Sequence, residues 1–397
     1  MPHLPSNDAP DSTPLGFPPV TKDHILNCSY DAWFPTYRAS CLKSRIIPLS
    51  PNVVSYLTED GIVLADDENG EDRRPEEEDE EWHIETTTSW RKPPPSDDSD
   101  SDSGSEPETA PVPPDKRFPE THKLIADTIT DLGGAVAPKL NWSCPKDATW
   151  ISRHQNTLKC TSPNDIYLLL KSSLFASHDL SHAFDGCTAA PPSRPRSTVL
   201  VLRPFFTPHA ALEFRCFVKH RCLVGITQRD LNYYGFLAGL RWRIRRKIVT
   251  FFGRTLRRTF ADASFVFDVY VPEDPSADDG LGRVRLMDIN PWAPRTDTLL
   301  FSWDELLAFE VPAPLYGSAT GDPDPSDADD ASSTSNESDE SADPELRLVE
   351  RNDPAAFNFS APQYSAHKLP REVVEAGTSG EAGLREFAQR WRELTGG

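Results

Sequence analysis

Two stretches, FVFDVYV at residues 265–271 and VRLMDINPW at residues 284–292, decide how the core of this chain folds. Both are short and mostly apolar, as expected for buried strands, and alternate residues of a strand point to opposite faces. Asp288 and Asn290 therefore project together, and Asp268 interrupts the apolar residues of the first stretch. The sequence predicts two neighbouring strands that carry two carboxylates and one amide.

These three polar side chains favour a site for a divalent cation. Carboxylate and amide oxygens are ligands that Mg²⁺ prefers, and Mg²⁺ completes its octahedron with water and substrate phosphates. Either aspartate alone is more typical of a polar residue that caps a turn. In combination, on otherwise apolar strands, Asp268, Asp288 and Asn290 predict a metal site.

The rest of the core alternates irregularly between helical and extended patterns, which predicts an α+β fold with antiparallel and mixed sheets. FPETHKLIADTITDLGG predicts an amphipathic helix with Leu124, Ile125, Ile129 and Leu132 on one side. DIYLLLKSS fits either a helix or a buried strand. Further strands are predicted in IIPL, AVAPKLNW, STVLVLRPFF and the hairpin EFRCFVKHRCLVGITQRD, and further helices in VVSYL, SWDELLAF and residues 240–260.

Acidic tracts divide the chain. The net charge of the 397 residues is −21, and the tracts include EEEDEE, SDDSDSDSGSEPE and a run from Asp322 to Glu345 with ten carboxylates and no Lys or Arg. Such tracts cannot bury enough apolar area to offset the entropy of ordering. The predicted segments are a disordered N-terminus (1–22), the N-terminal part of the folded domain (23–66), an acidic disordered insert (67–116), the core (117–311), an acidic disordered linker (312–345), a return segment (346–376) and a tail with a short helix (377–397).

Composition excludes several classes of protein. The seven cysteines are odd in number and lack CxxC spacing, which argues against a disulfide framework or a zinc site and favours reduced thiols. No apolar signal segment or membrane-spanning run is present, so we expect a soluble cytoplasmic protein, with a monomer as the default. GxxxxGK[ST] and GxGxxG are also absent, so a P-loop NTPase, a protein kinase and a dinucleotide-binding fold are unsupported.

Several cationic and aromatic residues have two interpretations. Lys139 ends an apolar strand, where it can reach a phosphate, although a solvated strand end is more common. Arg203 and Arg215 also lie on strands, and Arg215 can either clamp phosphate oxygens or pair with a neighbouring carboxylate. Trp142 and Ala148 can line a purine pocket, but tryptophan is more often a core residue.

The predicted helix 240–260 carries eight Lys and Arg residues beside an apolar stripe that recurs every four residues. Its basic side allows three interpretations, namely contact with RNA, docking of a partner, and neutralisation of the acidic tracts of the chain itself. Neutralisation of the acidic tracts is favoured over RNA contact, and docking of a partner lies between the two.

Long blocks of this sequence resemble the cell division cycle protein 123 family. The blocks are FPETHKLIADTITDLGGAVAPKLNWSCPKDATWI, LKCTSPNDIYLLLKSS, EFRCFVK, LVGITQRDLNYYGFL and FDVYV…MDINPWAPRTDTLLFSWDELL, in the order of the family. The resemblance implies a two-lobed ATP-grasp fold that holds ATP and Mg²⁺ between its lobes. It also implies a chaperone, without an established reaction product, that assembles eukaryotic translation initiation factor 2 through its gamma subunit and supports cell-cycle progression.

The resemblance implies roles for individual residues. Asp268, Asp288 and Asn290 match metal ligands, and the nucleotide side is matched by Lys139, Asn141, Trp142, Lys171, Ser172, Asp179, Arg203 and Arg215. Lys171 and Ser172 match the segment that joins the lobes. One departure is Leu202-Arg203-Pro204-Phe205 where the family has LRKW, because a proline removes a backbone donor from the strand.

Two other functions stay open at this point. An ATP-grasp ligase would activate a carboxylate as an acyl phosphate, and the same cations would clamp the transferring phosphoryl group. An RNA-binding module would use helix 240–260, with binding that collapses as salt rises.

Overall fold

The computed structural model describes residues 16–66, 112–188, 197–312, 314–316 and 344–351. Within these residues the α-helices are α1 (Lys22–Asn27), α2 (Tyr30–Tyr37), α3 (Pro51–Thr58), α4 (Pro114–Arg117), α5 (Pro119–Asp131), α6 (Pro163–Lys171), α7 (Leu174–Ser181), α8 (Leu237–Thr255) and α9 (Trp303–Ala308). The strands are β1 (Arg45–Pro48), β2 (Val136–Lys139), β3 (Val199–Pro204), β4 (Glu213–Lys219), β5 (Cys222–Gln228), β6 (Phe265–Tyr270), β7 (Arg285–Pro291) and β8 (Glu345–Arg347). Short 3₁₀ helices span Arg38–Ser40, Lys146–Ile151 and Ala210–Leu212.

The strands form two sheets. The three-stranded sheet has the order β1-β3-β2 and is antiparallel throughout. The five-stranded sheet has the order β7-β6-β4-β5-β8, in which only the pair β5–β8 is parallel among the described strands. This mixed architecture confirms the predicted α+β fold with antiparallel and mixed sheets.

The three-stranded sheet packs against helices α3, α5, α6 and α7 through one apolar core. Helix α6 resolves the ambiguity of DIYLLLKSS, and it starts with a capping box in which Ser162 and Asp165 satisfy each other's backbone N–H groups. The SPND sequence before the apolar run was the local signal for a helix rather than a strand.

The five-stranded sheet is covered on both faces. Helices α2 and α8 bury one face, and the apolar stripe of α8 supplies Leu237, Ile244, Ile248 and Phe252 to that core. Phe217, Val266 and Trp292 face the other side, where they pack with Phe301 and Leu306. Because both faces are apolar, the charged side chains of β4, β6 and β7 need partners of their own.

Several details differ from the sequence predictions. Leu124 is exposed on α5, whereas Ile125, Ile129 and Leu132 are buried as predicted. Residues 114–116, which were assigned to the acidic insert, belong to α4, and Pro114 is buried there. Helix α8 ends at Thr255 rather than at residue 260.

Other predictions have different outcomes. Helices α1, α2 and α7 were not predicted, because their aromatic or polar sequences lack a clear helical period. Pro204 is harmless to strand pairing, since it is the last residue of β3 and still lies opposite Val136. The predicted helix near the C-terminus lies outside the described residues, as do most residues of the two acidic tracts.

The seven cysteines are free thiols, as expected from their spacing. Among the described helices, none combines the length and the apolar character that crossing a bilayer requires.

Candidate functional site

The strands β6 and β7 bring the three predicted metal ligands together. Asp268 and Asp288 are register partners on these neighbouring antiparallel strands, and the register shifts just after Asp268. The Asn290 side-chain amide donates to Asp268 Oδ2 at 3.3 Å. Two carboxylates and one amide oxygen therefore lie together at the β7 edge of the five-stranded sheet.

Asp268 is buried and is held by two arginines. Arg215, its register partner on β4, donates from Nε and Nη2 to the two carboxylate oxygens, both at 2.8 Å. The Arg215 Nη1 group also donates to the Asp297 carbonyl at 2.8 Å, which fixes the guanidinium plane. Arg229 Nε lies 3.4 Å from Asp268 Oδ2. The predicted pairing of Arg215 with a carboxylate is thus present, but as a buried, bidentate pair.

The electrostatic balance at Asp268 favours its charged form. Burial alone would raise the pKa of the carboxyl, but the positive charges of Arg215 and Arg229 outweigh burial and hold the pKa well below its usual range. Arg229 also reaches Glu213, with 3.3 Å between Nη1 and Oε2. Asp268 is therefore an ionised carboxylate at neutral pH, as a metal ligand must be.

Lys139 connects the two sheets. It ends β2 in the three-stranded sheet, its side chain is 0% exposed, and its Nζ lies 2.8 Å from Asp288 Oδ2 on β7. The same Nζ donates to the Trp142 carbonyl. The ion pair places a lysine ammonium beside the predicted metal ligands.

Asp179 on α7 holds the backbone that follows β2. Its carboxylate accepts from the backbone N–H groups of Trp142 at 3.1 Å and Ser143 at 2.7 Å, and from the Ser143 hydroxyl at 2.8 Å. Burial raises the pKa of Asp179, and the hydrogen bonds from Ser143 act in the opposite direction. Asp179 therefore orients the segment that contains Trp142, while its own oxygens are already occupied.

Arg203 on β3 also spans the two sheets. Its Nη1 donates to the Met287 carbonyl on β7 at 3.2 Å, and its Nη2 donates to the Cys144 Sγ at 3.4 Å. Neither the carbonyl nor the thiol carries a negative charge, and no carboxylate of the described residues contacts the Arg203 guanidinium directly. Arg203 can therefore bind an anion without first breaking an ion pair.

Lys146 is a functional candidate that sequence reasoning missed. It is exposed at the start of the 3₁₀ helix Lys146–Ile151, and the nearby charge of Arg229 is the main cause that lowers its pKa. The Lys146 ammonium forms no hydrogen bond or ion pair within the described residues, although the Lys146 backbone N–H donates to the Cys144 carbonyl. Its signal in the sequence was its position, seven residues after Lys139 in PKLNWSCPK, a part of the block that resembles the family.

The site contains more cationic side chains than carboxylates. Five cations and four carboxylates meet here, namely Lys139, Lys146, Arg203, Arg215 and Arg229 with Asp179, Glu213, Asp268 and Asp288. The Arg229 Nε is buried without a hydrogen-bond partner. An unsatisfied buried donor beside an exposed lysine suits a ligand with several anionic oxygens.

The residues also fit a magnesium ion. Asp268, Asp288 and Asn290 offer three hard oxygen ligands, which is fewer than six and matches the habit of Mg²⁺ of keeping water and phosphate ligands. Both carboxylates currently bind cationic side chains, so a metal would share them with Lys139 and Arg215. The described part of the chain, this site included, contains no group of three or more His, Cys, Asp or Glu side chains suited to a metal, so the ion would depend on two carboxylates and one amide.

Other predicted nucleotide-binding residues lie apart from this cluster or serve the fold. The Asn141 amide is buried and bonds to Ser29, Ser197 and Val199, which leaves it a structural role. Ala148 is buried in the core of the three-stranded sheet. Trp142 donates from its indole to the Ile25 carbonyl at 2.8 Å and is only partly buried.

Lys171 and Ser172 are at the far end of α6. The Lys171 ammonium donates to the carbonyls of Tyr56 and Glu59 at the end of α3, and it lies over the Tyr56 ring. These contacts show how α6 is joined to α3, and no contact of Lys171 with the cationic cluster occurs among the described residues.

The comparisons with known proteins identify the family of this chain. The family model D123 matches residues 33–377, a span that contains every residue of the cluster. The chain belongs to the D123 family. This confirms the resemblance found in the sequence blocks around Lys139 and Asp288.

Relatives match along nearly the whole chain. A protein of Sclerotinia sclerotiorum named "Translation initiation factor eIF2 assembly protein" is 50% identical over 100% of this chain and 93% of its own length. "Cell division cycle protein 123" of Aspergillus terreus is 42% identical over 99% of this chain and 96% of its own length.

A solved structure has a similar fold. The structure of Cdc123 from Schizosaccharomyces pombe is 34% identical, with a TM-score of 0.56, and the match covers 84% of this chain and 99% of that chain. The likeness extends the family assignment from sequence to architecture.

Proposed function

We propose that this chain is an ATP- and Mg²⁺-binding chaperone that promotes assembly of eukaryotic translation initiation factor 2 by binding its gamma subunit. The observation that supports nucleotide binding is the surplus of cations around Asp268 and Asp288, together with the buried Arg229 Nε, which donates no hydrogen bond among the described residues. The names of the relatives support the assembly role. In this proposal the two sheets are the two lobes of an ATP-grasp fold.

Each part of the cluster has a distinct task. Asp268, Asp288 and Asn290 would hold Mg²⁺, which supplies charge neutralisation to a bound polyphosphate. Arg203, Lys146 and Lys139 would bind phosphate oxygens. Lys139 and Arg203 already connect β7 to the three-stranded sheet, so an anion that they share would strengthen the connection between the sheets.

Chemistry beyond binding is not required by this arrangement. A chaperone needs an ordered surface rather than a transferred phosphoryl group, and the same residues can fix the relative position of the sheets without turnover. The proposal therefore predicts tight binding of ATP with Mg²⁺ and slow or absent hydrolysis.

The test is calorimetric titration of ATP with and without Mg²⁺. We expect the Asn290→Ala variant to lose most of the Mg²⁺-dependent affinity, because it removes a ligand without unpairing either carboxylate. We expect Lys139→Met to weaken ATP binding by at least about tenfold, the loss of one charged contact to phosphate. Lys116→Met is the matched control, since Lys116 forms an exposed ion pair with Asp66 away from the site.

Denaturation curves of the same variants show whether each is folded. A wild-type chain that binds no ATP with Mg²⁺, or an Asn290→Ala variant with unchanged Mg²⁺ dependence, would contradict the proposed site.

The assembly role is tested separately. The purified chain is mixed with the gamma subunit and then with the alpha subunit, with and without ATP and Mg²⁺, and complex formation is followed by size-exclusion chromatography. We expect the chain to bind the gamma subunit and to accelerate joining of the alpha subunit. If the chain binds ATP but not the gamma subunit, the assembly role is wrong while the nucleotide site stands.

A further inference from the structure

The described residues are almost neutral, although the whole chain is strongly acidic. They contain 30 Lys and Arg against 28 Asp and Glu, and the remaining residues contain 11 against 34. Within the described residues, the segment 231–261 contains eight Lys and Arg and no acidic residue. This segment includes helix α8.

One side of α8 faces solvent. Trp242, Arg246, Thr250 and Arg254 recur every four residues and are all exposed, opposite the buried residues Ile244, Ile248 and Phe252. Arg246 lies over the Trp242 ring, 5.8 Å from its centre, and Arg258 is exposed just after the helix ends. We call Arg246, Arg254 and Arg258 the basic stripe.

The basic stripe has no carboxylate partner among the described residues, whereas Lys247 and Arg243 of the same helix both contact Asp279. Lys247 pairs with Asp279 at 3.0 Å and Arg243 donates to the Asp279 carbonyl. An exposed row of arginines next to an exposed tryptophan is suited to a negatively charged occupant.

The structure indicates where one acidic segment begins. Residues 317–343 carry nine carboxylates and no Lys or Arg. Just before them, Leu315 donates its backbone N–H to the His220 carbonyl at 3.0 Å, and the Tyr316 ring lies 4.6 Å from the His220 ring. The next residue, Arg221, donates to the carbonyls of Arg257 and Phe260, immediately after α8.

The segment ends near the place where it begins. After it, Glu345 of β8 pairs with Gly225 of β5, which is five residues after His220. A short loop would span this gap, but the chain uses 27 residues. Half of that length extends about 45 Å, which exceeds the length of α8, about 28 Å.

We propose that the acidic segment 317–343 of the same chain binds the basic stripe of α8 and keeps other polyanions from it. Tethering makes this contact intramolecular, so modest ion pairs suffice to occupy the surface. The other long acidic region, residues 67–111, follows α3 and precedes α4, so its two ends are anchored beside the three-stranded sheet.

The first experiment measures competition with an external polyanion. A fluorescent 12-nucleotide oligouridylate is titrated at low salt into the full chain and into a variant whose nine carboxylates at residues 322, 324, 327, 329, 330, 337, 339, 340 and 343 are changed to Asn or Gln. We expect the variant to bind at least about tenfold more tightly, since the competing anion is gone. Adding Arg246→Gln, Arg254→Gln and Arg258→Gln should abolish the gain.

The matched control changes nine carboxylates in the other acidic region, at residues 76–81, 97, 98 and 100, to Gln or Asn. We expect less than about threefold tightening from the general change in charge. The proposal would be overturned if both variants gained the same affinity for the oligouridylate. It would also be overturned if the unmodified chain bound the oligouridylate as tightly as the variant of residues 317–343.

The second experiment detects the contact directly. Arg254→Lys places an amine on the basic stripe, and zero-length carbodiimide crosslinking with peptide mapping should join that position to residues 322–343. Lys123, which is exposed on α5, is the control amine and should not crosslink to this segment. Absence of the Arg254→Lys crosslink, or equal crosslinking at Lys123, would contradict the proposal.

Discussion

The candidate site and the basic stripe use the same kind of residue in opposite ways. In the site, Arg215 is 6% exposed and its guanidinium is fully engaged by Asp268 and a backbone carbonyl. On α8, Arg246 and Arg254 face water and contact no carboxylate of the described residues. Burial makes a partner obligatory because an unpaired charge in a dry environment is costly, whereas water satisfies an exposed arginine.

This difference indicates how each group of cations binds anions. The buried cations keep fixed positions, which suits recognition of a defined ligand with several oxygens. The exposed cations accept any nearby anion, so their binding depends on tethering and on ionic strength.

The largest effect is expected at the buried pair. Asp268→Asn removes the carboxylate that pairs with Arg215 and one of the two that contact Arg229, and we expect the free energy of unfolding to fall by about 3–5 kcal/mol in urea denaturation. Asp278→Asn is the control, because Asp278 is exposed and has no partner among the described residues. A loss below about 1 kcal/mol for Asp268→Asn would show that the pair is solvated and would remove the contrast between the two regions.

A smaller effect separates two arginines near α8. Arg221 is buried and donates to three backbone carbonyls, those of Arg257, Phe260 and Ala261, so Arg221→Gln should cost about 1–3 kcal/mol. Arg246→Gln on the exposed side should change stability by less than about 0.5 kcal/mol. Both are measured by urea denaturation in 0.5 M salt, which suppresses exposed ion pairs. Equal losses would mean that the basic stripe is part of the core packing.

The smallest effect distinguishes a buried from an exposed carboxylate by titration. The exposed Glu59 binds Arg117 through two hydrogen bonds at 2.5 and 2.7 Å, and these bonds, with a further one from Ser55, lower its pKa to about 2. A lowered pKa means that the stabilising contribution is complete above the unfolded pKa, about 4.3, and is lost as the pH falls toward 2. The same sign holds for Asp268, whose contribution persists to lower pH.

Salt should affect these two carboxylates differently. In 1 M salt, carboxyl NMR titration should show the pKa of Glu59 moving toward its ordinary value, since exposed pairs are screened. The pKa of Asp268 should stay low because salt screens a buried carboxylate and its neighbouring arginine charges much less than an exposed pair. A similar upward movement of both pKa values would refute the distinction.

Much of the fold could be predicted from local pattern. The alternation in FVFDVYV and VRLMDINPW predicted β6 and β7, and the register of these strands brings Asp268 and Asp288 together as expected. The elements that were missed, such as α2, have buried aromatic residues with no helical period and a proline within the helix. Their conformation is set by packing in the tertiary structure rather than by local preference.

The site itself was predictable in part. Strand alternation placed Asp268, Asp288 and Asn290 in one region, and the strand positions of Lys139, Arg203 and Arg215 indicated phosphate contacts that the family resemblance also implies. Lys146 was missed because its proximity to Arg229 depends on how the 3₁₀ helix Lys146–Ile151 approaches the five-stranded sheet. Lys171 matched the family by sequence, but its contacts with α3 depend on the packing of α6.

The sequence by itself determined the strands, the amphipathic helices, the acidic tracts and the family of this protein, because these follow from periodicity, composition and long matching blocks. Tertiary structure alone decided which charges meet. The ion pair of Lys139 with Asp288 joins residues 149 positions apart, on two different sheets. Such pairs form where packing excludes water and makes partners obligatory, and no local pattern in the chain encodes that distance.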